Sequence, residues 1–278
     1  MIKAKVARLA NLARQSGGTG DMTGKTRKGT RLALSGSTAF SQLRPETRDA
    51  LEAMCRAKSY RAGQTVIHAQ EHSGFIGCVL SGILRMQKTL ADGREHIVGL
   101  LVEGDTFGRV FDGAAEFTIE AATDAEFCAF PRTKFEALMT RAPDLERAIL
   151  LNITNELDRA REWLIILSNQ KIAGRISGFL LLLCSRFRDI DHILQPSPEG
   201  IEVKIPINRA DLAHLLGTRP ESISRSLHSL RDQGVIDILE PDRILIRDTK
   251  ALALAADVDE IEAISTLQDL LKNHRPEH

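Results

Sequence analysis

The stretch Asn208–Arg231, NRADLAHLLGTRPESISRSLHSLR, divides into two helical patterns around one glycine. In the second pattern Ile223, Leu227 and Leu230 recur at i, i+4 and i+7 and belong on an inward face. Glu221, Ser224, Arg225 and His228 repeat that spacing on another face and point outward. The first helix opens on Asn208 and Asp211, an N-cap pair. Ala213 is small where two crossed helices approach, Gly217 supplies the turn, and Ile223 anchors the second helix. This punctuation spells a helix-turn-helix. Thr218 and Glu221 have capping-box spacing, with Pro220 in the first turn where its missing N–H costs little.

An outward row of Glu, Ser and Arg on a supported helix suits the edges of bases in a major groove. Glu221 can accept from cytosine N4, and the planar guanidinium of Arg225 can chelate guanine O6 and N7. Ser224 fits a thymine methyl or a phosphate. Two blander roles stand beside these: Glu221 as a helix cap only, and Arg225 as a phosphate contact. Arg209, Arg219, Arg225 and Arg231 concentrate positive charge in the helix pair, so affinity is expected to depend on salt. The candidate DNA-binding set is Glu221, Ser224, Arg225, Arg219, Ser222, His228 and Arg209, and double-stranded DNA is the expected partner.

Working outward, Val235–Leu239 and Arg243–Ile246, joined through Glu240-Pro241-Asp242, read as a hairpin wing. A short strand, Ile201–Ile205, precedes the helix pair, and Pro196-Ser197-Pro198 marks a loop. Helix Lys171–Arg188 carries Ile172, Ile176, Phe179, Leu180 and Leu183 as a core face. Residues 204–247 hold seven basic and six acidic side chains, so local placement rather than bulk charge must attract DNA.

From about Asp144 a long helix begins. Leu150, Ile153, Leu157, Ala160, Leu164 and Leu167 alternate by three and four, a seam flanked by both charge signs. The spacing predicts a parallel two-stranded pairing of two copies; packing against the chain's own body is the alternative. A two-fold dimer implies an inverted-repeat target with half-sites about one helical turn apart.

Between Tyr60 and Pro131 the texture changes to short apolar runs: Thr65–His68, Phe75–Leu80, Ile83–Met86, His96–Val102 and Phe127–Phe130. Glycines at 63, 74, 82, 93, 104, 108 and 113 separate them, and Asp92-Gly93 is a hairpin signal. This pattern predicts a small antiparallel β-barrel or roll. Ahead of it, Leu43–Cys55 reads as a short helix. The fold class is α+β. Its expected divisions are a basic flexible tail (1–37), a β-roll sensor (38–142), a dimerisation helix (143–168), a winged helix-turn-helix (169–248) and a helical C-terminal tail (249–278). In the last, Val258, Ile261, Ile264, Leu267 and Leu271 form an amphipathic pattern.

Composition sets the outer limits. The 278 residues suffice for two cores, and 37 Lys and Arg balance 37 Asp and Glu. Trp163–Leu167 and Phe179–Cys184 are too short to cross a bilayer, and no apolar secretory region opens the chain. Cys55, Cys78, Cys128 and Cys184 are widely and irregularly spaced, which predicts no disulfide framework and a reduced, cytoplasmic setting. No catalytic constellation, phosphate loop or metal-ligand spacing is visible, so an enzyme is not expected.

The order β-roll, long helix, winged helix-turn-helix resembles the Crp/Fnr family of bacterial transcription regulators over roughly residues 40–248. Glu221-Ser-Ile-Ser224-Arg225 is similar to the E-x-x-S-R recognition motif of its Fnr-type branch, which reads TTGAT-type half-sites. YRAGQTVI (Tyr60–Ile67), DGREHIVGLL (Asp92–Leu101), GDTFGR (Gly104–Arg109) and REWLIIL (Arg161–Leu167) are similar to FnrL-like members, and control by protein level, as in FixK-like members, is an alternative to a cofactor. The resemblance implies a homodimer that engages RNA polymerase. Fnr proteins hold a [4Fe–4S] cluster with three N-terminal cysteines and one in the roll. Cys128 matches that fourth position, but residues 1–54 contain no cysteine, so no cluster is expected. The family's phosphate-binding Gly-Glu and Arg-Ser pairs are replaced by Gly108-Arg109 and a Glu116-Phe117 region, so cyclic AMP is not expected either. Some oxygen-sensing relatives carry an acidic residue at the position of Ala160 that keeps apo-protein monomeric; alanine predicts a dimer without cofactor. Cys128 and Cys184 are redox candidates. Haem stays open through His68, His72 and His96, although no spacing marks a ligand.

Overall fold

The computed structural model describes residues 40–89, 93, 95–186 and 193–257. The basic tail (1–37), the Asp92 position of the expected hairpin turn and the amphipathic pattern from Val258 lie outside the described residues.

Helix α1 (Pro45–Met54) leads into eight strands: β1 (Arg56–Tyr60), β2 (Thr65–Ile67), β3 (Phe75–Ser81), β4 (Leu84–Thr89), β5 (Glu95–Leu101), β6 (Thr106–Phe107), β7 (Thr118–Ala121) and β8 (Ala125–Pro131). They form two four-stranded sheets, ordered β1-β8-β3-β6 and β2-β7-β4-β5. Among the described residues the strand pairs are antiparallel, and β4–β5 pair from Leu84↔Leu101 to Thr89↔Glu95, as the hairpin signal requires. Between the sheets Val79, Leu84, Leu101, Phe107 and Phe127 are buried. Tyr60 and Phe75 stack on Phe127 at 5.4 and 5.8 Å between ring centroids, and Phe107 meets it edge-on at 5.0 Å. Gly77 is obligatory here: a Cβ would lie 2.2 Å from the Phe107 ring. Sequence runs missed β1, because RAKSY has no apolar alternation and forms an edge. They also missed β6, β7 and helix α2 (Arg132–Met139).

Helix α3 (Pro143–Ser168) spans 26 residues, ~39 Å at 1.5 Å per residue. Its first turns bury Leu145, Ala148 and Ile149 against α1, α2 and the roll. From Leu150 onward Leu150, Ile153, Leu157, Leu164 and Leu167 are exposed, whereas Trp163 and Ile166 pack against the winged core, Trp163 stacking on Phe179 at 6.0 Å between centroids.

Helix α4 (Ile172–Arg186) follows, then β9 (Leu194–Ser197), β10 (Gly200–Lys204), α5 (Arg209–Leu215), α6 (Pro220–Asp232), β11 (Ile236–Glu240), β12 (Arg243–Ile246) and α7 (Thr249–Ala256). The strands make a sheet ordered β11-β12-β10-β9. Pro196 and Ser197, expected in a loop, belong to β9; β9 is an edge strand, where a missing N–H is tolerated. Ile176, Phe179, Leu180, Leu183, Ile223, Leu227 and Ile236 are buried together. Leu252 of α7 joins them with no exposure, so the first residues of the expected helical tail pack on the winged region. The same core continues into the roll through Ile83, Ile97, Leu100 and Val102.

The cysteine expectation is corrected. Cys55 and Cys128 are joined by a disulfide across a separation of 73 residues, with Cα atoms 5.5 Å apart. Wide spacing carried no sign of it, because the pairing arises from α1 ending beside the β1–β8 ladder, where Ala57 faces Cys128. Cys78 and Cys184 are buried and carry no disulfide.

Candidate nucleic-acid interface

Asn208 caps α5 by accepting from the Asp211 N–H at 2.9 Å, and its amide donates to the Asp211 carboxylate at 3.0 Å. Gly217 takes φ +62°, the left-handed conformation that turns α5 into α6 without strain. The Arg175 guanidinium donates to the Leu216 carbonyl at 2.9 Å and to that of Asn169 at 2.8 Å, tying the turn to the end of α3. The Thr218–Glu221 capping box does not form. Pro220 occupies the first helical position and holds Arg219 extended (φ −108°, ψ 150°), so Arg219 becomes the N-cap and no side chain caps it.

Ile223, Leu227 and Leu230 are buried, and Glu221, Ser224, Arg225 and His228 are exposed, as the spacing predicts; Ser222 is half-buried. Three of the reader side chains fold back on their own helix. Ser224 Oγ donates to the Pro220 carbonyl at 3.1 Å, Arg225 Nε to that of Glu221 at 3.4 Å, and His228 Nδ1 lies 2.7 Å from that of Ser224. These are weak surface contacts, readily exchanged for partners in a groove.

The arginines divide by their partners. Arg231 pairs with Asp232 at 2.8 Å, and Arg247 with Glu199 at 3.1 Å and with Asp237, so their charge is locally spent. Among the described residues Arg219 and Arg225 make no ion pair. Arg209 is less open than Arg219 and Arg225. It lines a cleft of about 440 Å³ with Ser224, His228, Leu239 and Pro241, half-buried where the wing returns. Burial lowers its pKa from the usual arginine value, partly offset by Asp242, and its Nη1 has no hydrogen-bond partner among the described residues.

On α3, Leu150, Ile153, Leu157, Ala160, Leu164 and Leu167 are all exposed, Leu164 by 68%. Leu151 and Ile165 are exposed too, widening the stripe beyond the seam. An apolar strip of this length on one helix is the mark of an interface.

Between the roll and α3 lies a cavity of about 420 Å³, lined by Ile67, Met86, Phe107, Arg109, Glu116 and Ile153 among others. A cyclic nucleotide does not fit its chemistry. Arg109, the cation at its rim, donates to the Ala114 carbonyl at 3.2 Å and faces Glu116 at 3.6 Å, a carboxylate that repels phosphate. Nor do the residues fit a four-thiolate cluster: Cys55 and Cys128 bond each other, and Cys184 sits in the winged core. His68, His72 and His96 do not line the cavity. Cys184 is fully buried, and burial pushes its thiol up to about 12, which disfavours the thiolate that redox chemistry needs. Among the described residues no group of His, Cys, Asp or Glu is arranged to hold a metal, and no helix is long and apolar enough to cross a membrane.

The cyclic nucleotide-binding domain family matches residues 57–142, and the Crp-like helix-turn-helix domain family matches residues 174–255. The chain is 32% identical over 198 residues to the transcriptional activator protein FnrL of Cereibacter sphaeroides, covering 71% of this chain and 79% of that one. It is 29% identical to the nitrogen fixation regulation protein FixK of Bradyrhizobium diazoefficiens, covering 74% and 84% respectively. Among solved structures, FixK2 from Bradyrhizobium japonicum superposes with a TM-score of 0.62 over 72% of this chain and 96% of that chain. At 24% identity this is a likeness of fold.

Proposed function

The chain belongs to the Crp/Fnr family of DNA-binding transcription regulators, and from that premise we propose that it acts as a homodimer reading a TTGAT-type inverted repeat. The observation that carries the reading is the exposed Glu221-Ser224-Arg225 row, held on a helix whose opposite face is buried. Arg209, half-buried in the cleft between that helix and the wing, is the candidate phosphate contact at the edge of this surface. The exposed stripe on α3 supports pairing, with Ala160 adding no charge to oppose it. The dimer then presents two reader helices to successive major grooves.

The regulator works in this reading without cyclic nucleotide, iron–sulfur cluster or haem, engages RNA polymerase at its promoters, and controls genes of oxygen, redox or nitrogen-oxide metabolism. Fluorescence anisotropy with a TTGAT-N4-ATCAA duplex tests it. Tight binding that falls steeply with salt and is lost on a scrambled duplex is expected; equal affinity for both overturns the target. Light scattering tests the pairing, and a monomer at micromolar concentration overturns it. A protein purified without oxygen is expected to show no visible absorbance; a haem or cluster band overturns the cofactor-free state.

A further inference from the structure

Helix α1 is held at both ends, and the two holds differ in kind. At its start, Arg44 donates to the Asp144 carboxylate from its backbone N–H at 2.9 Å and from its guanidinium at 3.0 Å, and Thr47 Oγ1 adds a third bond at 3.1 Å. Asp144 lies in the first turn of α3, the helix with the exposed apolar stripe. At its end, Cys55 caps α1 and is bonded to Cys128 in the middle of β8. The clasp on α3 is polar and its arginine is 61% exposed, so it depends on α1 being kept in place. Buried Leu51 holds the middle of the helix, and the bond at Cys55 fixes its end.

The two sulfurs are unequally reachable. Cys128 has no exposure, whereas Cys55 is half-buried at a helix end, so reagents meet Cys55 first. Cys78 faces Cys128 directly across the β3–β8 ladder and shares its core, which places a third thiol beside the bond. With Cys184 sealed in the other core, the sulfur chemistry of this chain converges on one corner of the roll.

We propose that Cys55 and Cys128 are a reversible redox pair that sets how firmly α1 grips the start of α3. Closing the pair takes a two-electron oxidant of the peroxide class. The Cys55 thiolate attacks one peroxide oxygen, the O–O bond breaks, and Cys55 becomes a sulfenic acid as the departing oxygen leaves as water. Cys128 sulfur then attacks the Cys55 sulfur, and the hydroxyl leaves with the Cys128 proton as a second water. Two thiols and one hydrogen peroxide give one disulfide and two waters. Opening takes a dithiol, which is oxidised to its own disulfide while both cysteines regain their protons. In the closed state α1 is pinned at both ends; in the open state the burial of Leu51 and the polar clasp hold it, and its C-terminal end is released.

The full chain, treated with hydrogen peroxide or with dithiothreitol and freed of reagent, tests this in two readouts. Alkylation with N-ethylmaleimide under denaturing conditions should add two adducts to the oxidised chain and four to the reduced chain, with peptide mapping linking Cys55 to Cys128. Hydrogen exchange of residues 45–54 and 143–149 should be several-fold faster in the reduced chain, and Cys55→Ser should match the reduced chain under both treatments. Four adducts after peroxide, a linkage through Cys78 or Cys184, or equal exchange in both states each overturn the proposal. The comparison of two states of the unaltered chain stands even if the variant fails to fold. Any effect on DNA affinity rests on the dimer reading above, but neither readout involves DNA or pairing, so the two can fail separately.

Discussion

At the scale of single residues, Glu221 and Arg225 separate structure from recognition. No side chain caps α6 and the Glu221 carboxylate is exposed, so Glu221→Ala is expected to change stability by no more than about 0.5 kcal/mol. Its discrimination between matched and mismatched duplexes should nevertheless fall. Arg225→Ala should cost about 1–3 kcal/mol of discrimination, roughly 5- to 150-fold, read as the ratio of affinities for the TTGAT-type and scrambled duplexes. Arg209→Ala should instead weaken both duplexes alike and flatten the salt dependence. The outward row was legible because a 3.6-residue period sorts faces without any knowledge of the fold. The state of Arg209 was not, because its burial is created by the wing strands, which return some thirty residues later. The absent capping box had a local cause that reading by spacing overlooked: the proline that suits the first turn also fixes the residue before it.

At the scale of elements, α3 and α6 make opposite uses of apolar spacing. Leu227 is 1% exposed inside the winged core, and Leu227→Ala should lower unfolding stability by about 2–5 kcal/mol in urea titration. Ile153 is 57% exposed, so Ile153→Asp should leave the single chain's fold intact while halving the mass seen by light scattering. Spacing alone could not tell these cases apart, since both helices carry a clean apolar stripe; flanking charge of both signs on α3 was the useful cue. It also understated the α3 surface, since Leu151 and Ile165 lie off the strict seam. Strands were read where apolar runs were long and lost where they were short or polar, as in β1 and β6. Helix α7 was assigned to a tail because nothing local announces that Leu252 reaches across to α4.

At the scale of the whole molecule, two polar contacts join distant parts. Arg85 on β4 pairs with Glu120 of β7 at 2.6 Å and with Asp211 of α5, its side chain only 17% exposed. Arg85→Ala leaves two partly buried carboxylates facing each other. The expected loss is roughly 2 kcal/mol, below the ~3–5 kcal/mol for a fully buried pair because water reaches these groups, and urea unfolding measures it. The second contact is Asp144. Its bonds from Arg44, aided by Thr47, hold its carboxyl well below the usual carboxylate range, so the clasp is at full strength above the unfolded value near ~4. It is lost as pH falls from there towards the folded value. Exposure of Arg44 keeps the effect small in salt. The urea midpoint should therefore fall less steeply with acid in Asp144→Asn than in the unaltered chain. Neither contact was visible in the sequence, where their partners stand 126 and 100 positions apart.

The core that runs unbroken from β4 and β5 into the winged region has a consequence for modularity. Ile83, Ile97, Leu100 and Val102 are shared property, so heating should melt the roll and the reader in one transition, and a protease should not release either intact. A chimera that grafts this reader onto another roll would have to bring the β4–β5 hairpin with it. The boundary that heredity can shuffle here is a surface through the middle of a sheet, not the linker after α3.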